Sequence, residues 1–363
     1  MTFLLYLLIE LIGMIIIHIS VSSQKYKKLY SFILIVFLSF FIVARDISVG
    51  TDYQTYHDAI IRVASGNLES YDEGWLSYGF RSLISFISFF QISNEYIVFI
   101  VIFLISVFTL YFFIDTIQRY SCYPTLGLFI FFCFCLYFQM MNQFRQMFAI
   151  SLVFYSIRFI NKSLCKYLFC ILVASSFHST AMVMFPVYFV YKFRNFSFLC
   201  IFYFVLAILS FVLFNYFKLL ISFTSYAKYL NWSLYDVGIT LNSLSNLIVR
   251  FIFLFISLLF WKKIALKNQS VDYLVLYHFI FICTILQIIS VNSNLFTRLT
   301  TYFFVVYILL IPQILKCILY KTRFSSKLIV RIVLFTFLLV YQIVYFCVQG
   351  SNSGIDHYRF IFG

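Results

Sequence analysis

The sequence predicts an all-α polytopic membrane protein, and three observations carry that reading. Of its 363 residues 64% are hydrophobic and 10% charged, its mean hydropathy is +1.00, and apolar runs of roughly 16 to 22 residues recur from end to end. A soluble globule of this length would need a more polar surface than such a chain can supply. No soluble domain fits between the runs, so residues 1–363 read as a single integral membrane domain.

Taken in order, the first run, 3–19, lacks a basic stretch before it and a small-residue cleavage site after it, and reads as a retained helix. Short basic loops follow at QKYKK (24–28), NKSLCK (161–166), YKFR (191–194), WKKIALK (261–267) and between Lys316 and Lys327. Positive charge marks cytoplasmic loops, so the net charge of +14 is mainly a topology signal rather than a nucleic-acid surface. With the N-terminus outside, ten spans at 3–19, 29–44, 95–114, 123–141, 144–160, 196–215, 246–262, 271–291, 297–316 and 327–348 place every one of those loops inside.

Two apolar pieces remain. SYGFRSLISFISFF (77–90), with its arginine and four serines, predicts a helix lying on or dipping into the outer surface. Segment 167–191 has basic loops at both ends and predicts a re-entrant hairpin with His178 and Ser179 at its turn. The rival is a single span of about 25 residues, which would invert everything downstream. The nine cysteines sit mostly in apolar runs without a CxxC pair and read as small hydrophobes.

On this map RDISVGTDYQTYHDA (45–59) opens an outer loop running to about residue 94, and seven of the chain's twelve acids fall between Asp46 and Glu95. A second outer loop, 216–245, carries SYAKYLNWSLYDVG, side chains that stack on sugar rings but also belt membrane interfaces. Arg45, Arg145, Arg298 and Arg359 all reach this outer side, where positive charge is disfavoured. A guanidinium near hydrocarbon is costly and faces a cavity or an anion unless it snorkels to headgroups. Its planar fork matches phosphate oxygens, so converging arginines suit a pyrophosphate. Arg158 and Arg331, at cytoplasmic helix ends, read as snorkelling, and Arg81 and Arg250 rank second. The acids at 46, 52 and 58 lie six apart, with no DxD pair and no histidine at helical ligand spacing, so no metal site is expected.

Four pieces in order now carry a resemblance: RDISVGTDYQTY, NQFRQMFAISL (142–152), FHSTA (177–181) and TRLTTYF (297–303), with EGW at 73–75. Together they resemble the EpsG family of Wzy-type membrane polysaccharide polymerases. Gly74-Trp75 stands where that family usually has Gly-Tyr. His357-Tyr358 stands for its usual Pro-Tyr, which sets Arg359 apart from the other arginines.

The resemblance implies a GT-C-type membrane glycosyltransferase extending O-antigen, capsule or exopolysaccharide chains outside the bacterial cytoplasmic (inner) membrane. Undecaprenyl-pyrophosphate-linked oligosaccharides would be donor and acceptor, membrane lipid the surroundings, and a chain-length regulator and a flippase further candidate partners. It calls for no cofactor and no nucleic acid. The implied catalytic residues are Arg145, His178 and Asp52, and the implied substrate-binding residues Arg45, Arg298, Gln146, Tyr53 and Tyr302. Of the two candidate bases, His178 is preferred over Asp52 because its free pKa of about 6.5 lies nearest working pH. A satisfied buried histidine, and an aspartate that merely pairs with an arginine to hold the loop, are the structural alternatives. An O-antigen-ligase-like glycosyltransferase would use the same chemistry. A lipid-linked oligosaccharide flippase or transporter would show charges along a path through the membrane and often an internal repeat, neither of which is seen.

Overall fold

The computed structural model describes residues 2–67, 76–212, 241–267, 272–291, 296–320 and 324–361, with Leu219 and Phe223 besides. The EGW piece (73–75) and most of the 216–245 loop lie outside these residues. Helices dominate the described residues, which hold one isolated extended pairing, between Arg45 and Phe360.

The spans are long because uninterrupted apolar sequence lets every backbone group bond within its own helix, as a lipid environment demands. Four helices are long and apolar enough to cross a membrane unaided: α1 (Thr2–Ser22), α5 (Asn94–Tyr120), α14 (Tyr273–Ser290) and Ser326–Gly350 within α17 (Phe324–Ser353). Two bent pairs bring the number to six. In one, α6 (Pro124–Cys133) meets α7 (Leu136–Asn142) at 48°, with Cys135 left-handed at the break. In the other, α15 (Thr297–Phe304) meets α16 (Tyr307–Leu319) at 47°. The remaining four of the ten expected places hold helices of 17, 13, 17 and 19 residues: α2 (Lys27–Val43), α8 (Phe144–Ser156), α11 (Phe196–Val212) and α12 (Leu241–Leu259). The chain is a multi-pass membrane protein.

The expected surface segment is α4 (Tyr78–Ser88), whose 11 residues are too few to span. It buries Phe80, Ile84 and Ile87 and leaves Phe86, Phe89 and Phe90 exposed. Before it, α3 (Tyr53–Ala64) buries one face, Tyr53, Tyr56, Ile60 and Val63, at helical spacing.

The basic loops gather at one end of the bundle. There Asp115 on α5 meets Arg158 at 2.6 Å and Arg119 at 2.6 Å, Arg194 meets Asp272 at 2.9 Å, and Trp261, which opens α13 (Trp261–Lys267), stacks on Phe196 at 4.3 Å.

Segment 167–191 is a hairpin. α9 (Leu164–Phe177) rises, His178 breaks it with an extended backbone, a 3-10 turn over Ser179–Met184 reverses the chain, and α10 (Val187–Val190) returns. Tyr167 donates to the Met184 carbonyl at 2.6 Å and its ring lies 5.8 Å from that of Tyr188, so the hairpin's two feet stand side by side. Single cysteines introduced at the exposed positions Asn161 and Lys192, in an otherwise cysteine-free chain, should therefore both be protected from an impermeant thiol reagent that labels Ser48→Cys. Labelling of one foot together with Ser48→Cys would mean that the segment spans.

Candidate functional site

The end opposite the basic loops is built around the 44–52 turn. Arg45 caps α2 with its side chain fully buried. Its Nη2 donates to the Met141 carbonyl at 2.8 Å, its Nε to the Val49 carbonyl at 3.2 Å and its Nη1 to the Ile42 carbonyl, while its guanidinium lies 4.0 Å over the Tyr53 ring. Gly50, at φ +96°, lets the backbone pass so close to α7 that an added Cβ would stand 2.7 Å from the Met141 oxygen.

The C-terminal segment locks this turn from behind. Gly50 N donates to the Gly354 carbonyl at 2.8 Å, Thr51 N to that of Ser353 at 3.1 Å, Asp46 N to that of Arg359 at 2.9 Å, and Ile361 N to that of Ala44 at 2.9 Å. Tyr6 and Tyr358 tie the same segment to α1 and α2 by donating to the Ile355 and Phe41 carbonyls.

Thus held, Asp52 sits directly above the end of α7. The Asn142 side-chain oxygen accepts from the Asp52 amide at 2.8 Å and the Thr51 hydroxyl at 3.3 Å, and the Asp52 carboxylate makes no capping bond to α3. One residue later, at Gln143, the chain reverses into α8, whose second residue is Arg145. Arg145 is buried, with its guanidinium 4.9 Å from the Tyr56 ring and 5.3 Å from that of Phe80. Arg298 is likewise the second residue of its helix, α15, and Gln146 Nε2 joins the two helix starts by donating to the Arg298 carbonyl at 2.9 Å. Two helix N-termini, each adding its amide field to an arginine, open at the same place.

His178 completes the group. Its Nδ1 lies 2.6 Å from the Thr180 hydroxyl, which donates in turn to the Tyr302 hydroxyl at 3.1 Å. In that arrangement Thr180 accepts from Nδ1–H, and Nε2 keeps its lone pair.

The charges of these groups act on one another. Burial raises the Asp52 carboxyl above its ordinary 3.8, against the pull of Arg298 and Arg145. Burial first, then the same two arginines, push the His178 imidazole from its ordinary 6.5 down to about 3. The preference for histidine as base rested on its free pKa, which these surroundings lower while they raise that of Asp52. A histidine of so low a pKa is a neutral hydrogen-bonding group, whereas a carboxylate raised in pKa is a stronger base than a free one.

The structure therefore brings together Asp52, Arg145, Gln146, His178, Arg298 and Tyr302. It does not bring Arg45 or Tyr53 among them. Arg45's guanidinium faces three main-chain carbonyls and a ring, which corrects its expected place as a phosphate ligand: it positions the turn that carries Asp52. Arg359 is exposed and contributes through its backbone. Asn142 and Thr180 lay within the quoted motifs, and their roles appear only once the turn and the hairpin are seen to meet α7 and α15. His278 is satisfied between the Tyr203 hydroxyl (2.9 Å) and the Phe193 carbonyl (3.2 Å). Among the described residues no group of His, Cys, Asp and Glu could hold a metal.

Replacing Arg45 by lysine keeps the charge but loses the fork that holds three carbonyls, and Gly50→Ala forces the turn off α7. Each should lower thermal stability in detergent by roughly 1–3 kcal/mol equivalent and reduce activity, whereas Arg359→Ala should change stability by less than about 0.5 kcal/mol. A thermal-shift assay on the purified protein checks all three.

The profile of the EpsG family matches residues 28–360, nearly the whole chain. A search of curated proteins finds no match, and a search of solved structures finds none. The match takes in the turn that carries Asp52, the start of α8, the hairpin, the start of α15 and the segment that locks them, and the chain belongs to the EpsG family.

Proposed function

We propose that the protein is a polysaccharide polymerase that joins undecaprenyl-pyrophosphate-linked oligosaccharide repeat units at the outer face of the bacterial inner membrane. Membership in the EpsG family supports a polysaccharide-polymerase type of role. The finer reading rests on one observation: Arg145 and Arg298, each the second residue of its helix, stand where the starts of α8 and α15 are joined by the bond from Gln146 to the Arg298 carbonyl.

In this reading the acceptor sugar's hydroxyl oxygen attacks the anomeric carbon of the donor. The bond from that carbon to the pyrophosphate oxygen breaks, and undecaprenyl pyrophosphate leaves with the electron pair. Its charge falls on Arg145 and Arg298, whose fixed guanidinium groups and helix N-termini stabilise it without reorganisation. The proton of the attacking hydroxyl passes to Asp52. His178, neutral and oriented by Thr180, offers its Nε2 lone pair to a neighbouring hydroxyl of the acceptor sugar and so holds the attacking one in line. The arginines also keep Asp52 ionised despite its burial, so base and leaving-group cradle depend on each other.

Purified protein given a synthetic lipid-linked repeat unit should make a ladder of products. A single transfer to an unrelated acceptor would favour a ligase, and an unchanged lipid-linked pool a transporter. Arg145→Lys should cost about tenfold or more in kcat/KM, some 1.4 kcal/mol, since the ammonium cannot make the bidentate contact. Asp52→Asn should cost on the order of a hundredfold or more.

The pH profile separates the two bases. Asp52 acts when ionised and its pKa is raised, so kcat/KM should fall as pH drops through a single ionisation above 3.8. That limb should vanish in Asp52→Asn and persist in His178→Gln, and a limb that follows His178 instead would restore the histidine as base.

A further inference from the structure

Directly below the site an apolar cavity of about 310 Å³ opens between α4, α5, α8 and α9. Every lining side chain is apolar apart from the thiol of Cys170. Three of the four helices lead into it from a site residue. On α8, Arg145 is followed one turn on by Phe148 and two turns on by Leu152. On α4, Phe80, whose ring lies against the Arg145 guanidinium, is followed one turn on by Leu83. On α9, His178 is preceded by Phe177 and, one turn below, by Val173. The Phe148 and Phe177 rings, 4.4 Å apart, form the rim between site and cavity. The fourth helix, α5, forms the back wall, where Phe108 is 50% exposed and the cavity opens sideways toward lipid.

A ligand filling both places must be anionic at one end and purely hydrocarbon from the next atoms on. We infer that this cavity seats the first isoprene units of the polyprenyl chain of the lipid-linked substrate, an assignment that rests on the polymerase reading above. The turn-by-turn continuity from Arg145 to Leu152 descends about 6 Å per helical step of four residues, which places the chain's first carbons beneath the guanidinium that holds its phosphate. At about 30 Å³ per non-hydrogen atom, the cavity has room for roughly ten, or two isoprene units. The remaining chain passes out beside Phe108 into the bilayer.

Because lipid is as apolar as the cavity wall, seating the chain there adds little hydrophobic free energy. Its effect is positional: it fixes the pyrophosphate against Arg145 and Arg298. Cavity filling should therefore abolish the advantage of a long tail while sparing the chemistry.

The test uses the full-length protein and two donors, carrying the same repeat unit on a pyrophosphate with either an undecaprenyl chain or a methyl group too short to reach the cavity. The wild type should use the long-tailed donor with a kcat/KM about tenfold higher, consistent with loss of positioning when the tail is absent. Val173→Trp, which fills the cavity, should bring the long-tailed donor down to the level of the short-tailed one and leave the short-tailed one unchanged. An unchanged tail preference, or an equal fall for both donors, overturns the assignment. A second measurement needs no turnover: a photoreactive residue in place of Phe108 should crosslink a labelled polyprenyl pyrophosphate, competed by undecaprenyl pyrophosphate and not by phosphatidylglycerol. Equal competition by phosphatidylglycerol would mean that ordinary membrane lipid fills the cavity and would also overturn it. Failure of the wild type to polymerise either donor while the crosslink persists would instead sink the polymerase reading and leave the lipid seat standing.

Discussion

The architecture of the site depends on one buried cation. Arg45 is drawn fully out of solvent and satisfied by the carbonyls of Ile42, Val49 and Met141 together with the Tyr53 ring. A guanidinium so buried is costly unless its donors are met, so the geometry that meets them is enforced. The end of α2, the 45–52 turn and the end of α7 thereby become one rigid unit. Asp52 is carried on that unit, and Arg145 follows three residues after Asn142, so acid and arginine hold a fixed relation although 93 positions of sequence numbering lie between them.

On that base the chemistry is a balance of opposed effects. Burial disfavours charge on Asp52, and the two arginines favour it; burial and the arginines act together on His178, which stays neutral. Arg145 is held between the faces of Tyr56 and Phe80, and the start of α15 is tied to α8 through Gln146.

Much of the fold was legible in the sequence because lipid imposes simple rules. The hairpin followed from basic flanks at both ends, and the short α4 from its serines and arginine. His178 stood out by its place at the hairpin turn, Asp52 by its place in the quoted motif of the outer loop, and Arg145 and Arg298 as positive charge on the outer side. Arg45 carried the same signal and was misread, since what distinguishes a buried clamp from an anion ligand is the Met141 carbonyl, 96 positions away. The depressed histidine was equally hidden, for its causes are burial first and then proximity in space to arginines on two other helices. The apolar cavity had no signature at all: its walls are ordinary membrane-helix residues, and their meaning comes from the turn-by-turn descent out of Arg145, Phe80 and His178.

The segment that locks the turn has a bearing on how the protein is made. Its contacts to Ala44, Asp46, Gly50 and Thr51 join the last described residues to some of the first, across more than 300 positions. Helices enter the bilayer in the order of synthesis, so the early turn must wait, with its backbone amides unpaired by Ser353, Gly354 and Arg359, until α17 has been inserted. A chain whose α17 is not yet in place would thus hold an incomplete site, and the early turn acquires its final form only when that late helix joins it.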